Sequence, residues 1–364
     1  MVKIQTCSFL YHVRFFRYFG LLPFVLGPPS YSRFSKYFLP FALALTAVIS
    51  ADFGNRVIIT LSEEVGKFER IVVLMIYLSL TAHPILILVG TFRKRFVFES
   101  VMSQCVDLQE KLNAKNYQLF VPIKLGVLFG IFFMTLAWIT ISSGFLCSRI
   151  SVLLMVITGI FSTISHVHQF ACLLLFSYFA YSVGYLFERL ADDLADDELK
   201  NRSEFVRKYD RLAGLFANVN DCFSYLVSMC LLASFAQFLA GIYIFLTFVT
   251  GPTVTCGVSV MYVWLFGFVA TSFSVLVHSC QTASDQANKC HMAFFNQLID
   301  SDRTVSYRQD PYILMHFINN RTRLVFKAFN SIPINIRLAH SMTAAVMTYA
   351  IITLQIQTSP KNQN

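Results

Sequence analysis

Acidic pairs are the residues of this chain whose spacing comes nearest to a reaction centre. Asp192-Asp193-Leu194-Ala195-Asp196-Asp197 contains Asp-Asp-x-x-Asp, a pattern by which membrane enzymes hold a diphosphate through Mg²⁺. That chemistry needs a second acidic cluster, and the nearest downstream carboxylates, Asp300 and Asp302, do not reproduce one. The run therefore reads as a solvated helix surface. His166 and His168 stand two apart, about 200° around a helix axis, so they cannot chelate one metal together. They read as groups that meet neighbouring helices, with His166 also open to a ligand contact. The nine cysteines show no Cys-x-x-Cys and no zinc spacing. Only Cys147 and Cys256 fall near a predicted outer surface, where a disulfide between them is open. The others lie within or on the inner side of apolar spans, where thiols stay reduced. On these grounds the sequence predicts no enzyme, no cofactor and no resident metal.

The end of the chain offers a different chemistry. Ile352, Gln355 and Ile356 stand at i, i+3 and i+4 and share one helical face. Repeated around an axis, isoleucines make a constriction that closes by dewetting. Glutamine amides there present donors and acceptors to one another or to hydrated ions. Tyr349, three residues earlier, sits on the same broad face or its edge and could bond a neighbouring subunit. The same residues also admit a plainer reading, packing against other helices with Gln355 bonded to one of them. Arg337, near the inner end, is awkward in a cation path and is expected off-axis, snorkelling toward water.

These residues belong to the apolar run Ile332 to Gln357, long enough to cross a bilayer at roughly 20 residues per ~30 Å. Hydroxyls and amides scattered through it make it poorer in apolar groups than a lipid-facing anchor, so it reads as a helix that lines something. The composition agrees. The chain is 56% hydrophobic and only 13% charged, against about 25% in a soluble domain. Its mean hydropathy is +0.60, and its 38 Phe and 16 Tyr suit helices that pack in lipid and anchor at its interfaces. An all-α polytopic membrane protein follows, and the net charge of +9 calls for no nucleic-acid partner.

The pattern predicts seven spans, with a single domain over residues 1–364. They run at about 36–53, 71–92, 121–144, 150–190, 203–249, 258–298 and 332–357, the fourth to sixth including polar extensions. His83-Pro84 predicts a kink in the second. A polar helix near 312–329 precedes the last. The N-terminus is interrupted by His12, Arg14 and Arg17, so it reads as an interfacial segment rather than a signal peptide. Segments of forty residues reach ~60 Å, about twice the hydrocarbon thickness, so their charged ends must stand in water. Four such ends on one side predict a packed intracellular anchor. If the N-terminus is cytoplasmic, only Arg56, Lys67, Arg70, Arg149 and Lys361 of the 29 lysines and arginines lie outside. Arg93-Lys94-Arg95, directly after the second span, votes most strongly for that orientation. An odd number of spans then places the C-terminus outside, opposite to a G-protein-coupled receptor.

Thr348-Tyr349, five mostly apolar residues, then Gln355-Ile356 is similar to the signature that closes the last helix of insect gustatory receptors, where Phe is usual in place of Ile356. Arg17-Tyr18-Phe19-Gly20-Leu21-Leu22-Pro23-Phe24 resembles that family's N-terminal entry. The inverted topology and long fourth to sixth helices extend the resemblance over the whole chain. The family is related to insect odorant receptors. The resemblance implies a ligand-gated, non-selective cation channel in the plasma membrane of a sensory neuron. It would be a homo- or heterotetramer with related subunits, whose four last helices line one pore through the bilayer. Sugar-sensing members often carry Glu after the Thr-Tyr pair; Ala350 here favours a bitter or aversive tastant.

The resemblance further places a ligand pocket among the outer halves of the second to sixth spans. Tyr77, Trp138, Met155, Thr158, Tyr243, Tyr262 and Trp264 are the aromatic, sulfur and hydroxyl groups predicted there. Interface anchoring is the competing role for the tyrosines and tryptophans. A G-protein-coupled seven-helix receptor is the alternative class, although no Asp-Arg-Tyr closes the third span and no Asn-Pro-x-x-Tyr stands in the seventh. An odorant-receptor-like channel subunit is another. The sequons Asn201-Arg202-Ser203 and Asn320-Arg321-Thr322 are predicted cytoplasmic and unglycosylated.

Overall fold

Chain segments with little to break a helical pattern become very long helices. A computed structural model describes residues 67–112, 152–196, 202–250, 256–304 and 324–358, with isolated positions 47 and 130. The predicted spans 36–53 and 121–144, the N-terminal entry, the start of the polar helix at 312–323, and Cys147 lie outside the described residues. The elements are α1 Lys67–Arg93, α2 Arg95–Lys111, α3 Val152–Asp196, α4 Arg202–Thr250 and α5 Cys256–Thr304. A small hairpin of β1 Lys327–Ala328 and β2 Ile332–Pro333 then leads into α6 Ile336–Thr358. Helices α3, α4 and α5 hold 45, 49 and 49 residues, so each is more than ~65 Å long. That is the overreach the sequence predicts. Two stretches, His168–Leu194 and Glu204–Tyr243, are long and apolar enough to cross a membrane.

Helix α3 occupies the middle of the bundle, against α1, α2, α4 and α5. Nearly every side chain from Gln169 to Phe187 is buried. A helix apolar all round must be enclosed all round, which is why His166 and His168 are both buried although they point to different sides. Close approach of α3 to α5 depends on a missing side chain: a Cβ at Gly184 would lie 2.8 Å from the Ala283 backbone. Small residues at such crossings let helix backbones touch. Gln169 ties α3 to α4 by donating to Ser234 Oγ at 2.6 Å and to the Cys230 carbonyl at 3.1 Å. Gln237 Nε2 in turn donates to Gln169 Oε1 at 3.3 Å.

Helix α1 runs through His83-Pro84, where the sequence places a kink, and ends at Arg93. Three elements beyond it depart from the sequence expectation. After the single residue Lys94, the unforeseen helix α2 begins, burying Phe98, Val101, Met102, Cys105 and Leu108. Those positions keep a helical period; the Ser, Gln, Glu and Asp residues between them mask it in an average of hydropathy. The polar helix expected through Phe329 does not extend there, since residues 324–329 form coil, strand and turn. The last helix begins at Ile336 rather than Ile332. Pro333 biases Ile332 toward extended backbone and lacks an N–H, so the helix waits for Asn335. The Asn335 side chain then caps it, its Oδ1 accepting from the N–H groups of Arg337 and Leu338 at 3.0 and 3.2 Å.

Candidate functional site: the last helix and its base

Helix α6 packs on α4 and α5 through one narrow face. Leu338, Ala339, Met342, Val346, Tyr349, Ala350 and Thr353 are its half-buried or buried residues, spaced three and four apart. The rest of its surface, roughly two-thirds of the circumference at 100° per residue, is exposed in the single chain. That bare side is strongly apolar, with Met347 60% and Ile352 48% exposed beside Ile351 and Leu354. Arg337, His340, Thr348 and Gln355 share it. Ile352 and Gln355 therefore stand together on the bare side as the spacing predicts, whereas Tyr349 turns toward the bundle at its edge. The Ile356 side chain lies outside the described residues.

The hydroxyls of α6 prove less informative than the sequence suggests. Ser341, Thr348 and Thr353 donate back to the carbonyls of Arg337, Ala344 and Tyr349 at 2.9, 2.9 and 2.8 Å. Satisfied within their own helix, they require neither water nor a partner. The breadth of the bare apolar face and the amide of Gln355 are what set this helix apart.

The base of α6 is firmly built. Phe326, Ala328 and Ile334, on the inner side of the hairpin, are buried. Phe326 stacks on Phe216 with ring centroids 3.9 Å apart and meets Phe176 edge-on at 5.3 Å. Phe176 continues through Phe223 to Phe98 and Phe179, so one aromatic cluster joins α2, α3, α4 and the hairpin. At the charged end of the bundle, Tyr209 of α4 lies among Phe187, Phe205 and His291. Burial raises the Tyr209 phenol well above its usual pKa, with Cys290 and Asp210 adding to the shift. Burial likewise pushes the Cys290 thiol up to about 12. Lys94, between α1 and α2, reaches Asp221 of α4 at 2.8 Å.

Asp192 and Asp193 are exposed at the end of α3, with Asp192 3.8 Å from Arg189. The expected pocket residues, Trp138 apart, fall on described helices: Tyr77 on α1, Met155 and Thr158 on α3, Tyr243 on α4, Tyr262 and Trp264 on α5. The register between helices sets their height. Gly90 meets Leu226, Gln169 meets Ser234, and Gly184 meets Ala283. Counting outward from those crossings at ~1.5 Å per residue brings the six positions to one end of the bundle, within about three helical turns in height. Tyr243 is half-buried; the other five side chains lie outside the described residues.

Among curated proteins the chain finds no match. Solved structures give a clear likeness. The insect olfactory receptor OR5 from Machilis hrabei in complex with eugenol superposes with a TM-score of 0.66 at 12% identity, covering 96% of this chain and 100% of that one. The same receptor, in a second structure, gives 0.63 at 12% identity with the same coverage. The fold is thus that of a seven-transmembrane helical receptor. Residues 9–359 match the family described as 7tm Chemosensory receptor, and a match over nearly the whole length means that the chain belongs to the 7tm chemosensory receptor family.

Proposed function

We propose that the protein is a gustatory-type chemoreceptor that opens a cation path when a small organic molecule binds among the outer halves of its helices. The observation that carries the reading is the bare side of α6. A membrane helix with one packed face and a wide exposed face that includes Gln355 is suited to a boundary between copies of the chain. Four copies arranged about an axis put Ile352, Gln355 and Ile356 of each α6 around a central path. Ile352 and Ile356 act as the dewetting constriction, and Gln355 as the amide ring that meets hydrated cations. Thr348, Tyr349, Gln355 and Ile356 constitute the motif that favours the gustatory over the odorant branch.

The solved relative in complex with eugenol supports a small organic ligand. The placement of Tyr77, Met155, Thr158, Tyr243, Tyr262 and Trp264 toward one end of the bundle supports a pocket there, and Trp138 is expected to join them. Ala350 favours an aversive compound over a sugar. Homotetramers and mixtures with related subunits both fit this arrangement. Residues 1–364 act as one domain in the plasma membrane of a sensory cell, with the N-terminus inside and the C-terminus outside.

Topology tests this proposal without a known ligand. An epitope tag placed after Asn364 is expected to stain on intact expressing cells, with Asn201 and Asn320 unglycosylated. A hidden tag together with glycan on Asn201 would invert the protein and return it to the G-protein-coupled class.

A further inference from the structure

The hairpin that bases α6 is held by hydrogen bonds of an unusual kind. Asn220, Ser224 and Ser228 stand four residues apart on α4, a single stripe about 12 Å long. Each accepts from a backbone N–H of the hairpin: Lys327 to Asn220 Oδ1 at 2.6 Å, Asn330 to Ser224 Oγ at 2.8 Å, and Phe329 to Ser228 Oγ at 2.6 Å. Ser228 donates its own hydroxyl hydrogen bond to the Ser224 carbonyl, so its lone pairs remain available to Phe329. The two residues gripped by serines are also the two with left-handed backbones, Phe329 at φ 49° and Asn330 at φ 55°.

Within the three-residue loop between the paired Ala328 and Ile332, the turn closed by the Ser331 N–H on the Ala328 carbonyl at 3.1 Å has both central residues at positive φ. Asparagine tolerates that conformation, but phenylalanine rarely adopts it. The Phe329 ring is 48% exposed and far from fully packed. Its backbone N–H is what the structure holds, through Ser228. Directly beyond the turn, Ile334 is buried, its N–H bonding the Phe326 carbonyl at 2.8 Å, and Asn335 caps α6. No glycine stands between the gripped turn and the first helical residue, Ile336.

We propose that Asn220, Ser224 and Ser228 are positioning residues for α6. Through the hairpin they fix the angle at which this helix leaves the bundle, so a movement of α4 is passed directly to α6. The consequence for gating rests on α6 lining the path, as proposed above; the geometry of the clamp does not.

Hydrogen exchange in the full-length protein, reconstituted in lipid nanodiscs, tests the clamp. In the double variant Ser224→Ala, Ser228→Ala the amides of α6 from Ser341 to Val346 are expected to exchange about 10-fold faster or more, since two hydrogen bonds are lost. The pair Ser224→Thr, Ser228→Thr, which keeps both hydroxyls, is expected to restore the native rate. Phe329→Asn removes an exposed ring, suits the left-handed backbone and keeps the gripped N–H, so α6 should exchange at least as slowly as in the native protein. Exchange in α6 indifferent to the serines would overturn the proposal, as would Phe329→Asn loosening α6 as much as the alanine pair. The exchange readout does not depend on conduction. A non-conducting protein whose α6 follows the serines keeps the clamp and loses the channel; a conducting one whose α6 ignores them does the reverse.

Discussion

Single residues show how differently equal-looking interactions weigh. Phe326 is fully buried, stacked on Phe216 and edge-on to Phe176. Truncation to alanine leaves a cavity where α3, α4 and the hairpin meet, and a cost of about 3–5 kcal/mol is expected in thermal or denaturant unfolding of the detergent-solubilised protein. The Lys94–Asp221 pair is short at 2.8 Å, yet its side chains are 36% and 58% exposed. Water and salt screen it, so Asp221→Asn should cost less than about 1 kcal/mol in the same assay. Gly184 is the sterically strictest position. A side chain there would meet the backbone of Ala283 rather than a movable group, and Gly184→Val is expected to lower the unfolding midpoint more than Asp221→Asn does. None of these three roles is visible in the sequence, because each depends on a neighbour at least forty residues away on another helix.

Elements are where the sequence speaks most clearly, and where it fails for identifiable reasons. The 45- and 49-residue helices α3, α4 and α5 follow from long runs without Pro and with few Gly, and their ends fall within a few residues of the expected ones, save for the tails of α3 and α5, each six residues longer. Helix α2 was hidden because its buried stripe is diluted by polar neighbours. The hairpin was hidden because Phe329, a poor turn former, occupies a left-handed position that Ser228 holds from another helix. Of the candidate site, the shared face of Ile352 and Gln355 was legible from spacing alone, whereas the packed position of Tyr349 required α4 and α5 to be in place.

The charged end of the bundle carries a pH prediction. Cys290 is held neutral by burial, its pKa pushed up from 9.0 to about 12. The folded state keeps a proton that the unfolded chain releases above about pH 9, so stability is full below that pH and falls as pH rises toward 12. Tyr209, raised by the same burial, adds to the loss at still higher pH. The unfolding midpoint should therefore stay level up to about pH 9 and drop beyond it. A midpoint that rises with alkali would contradict the burial of these groups.

At the scale of the whole molecule, one chain is an incomplete object. Its last helix leaves an apolar side bare that includes Met347, Ile351 and Ile352, and such a face in a membrane protein is finished by lipid or by other copies. The central claim is that copies meet there and that their Ile352 side chains close a cation path. Ligand-independent cation current, recorded from cells expressing Ile352→Ala beside the native protein at matched surface levels, tests it most directly. Shortening the residue removes apolar bulk from the constriction and favours its wetting, so a larger standing current is predicted without any ligand. A variant that reaches the surface and carries the same current as the native protein would contradict the assignment of α6 as the gate.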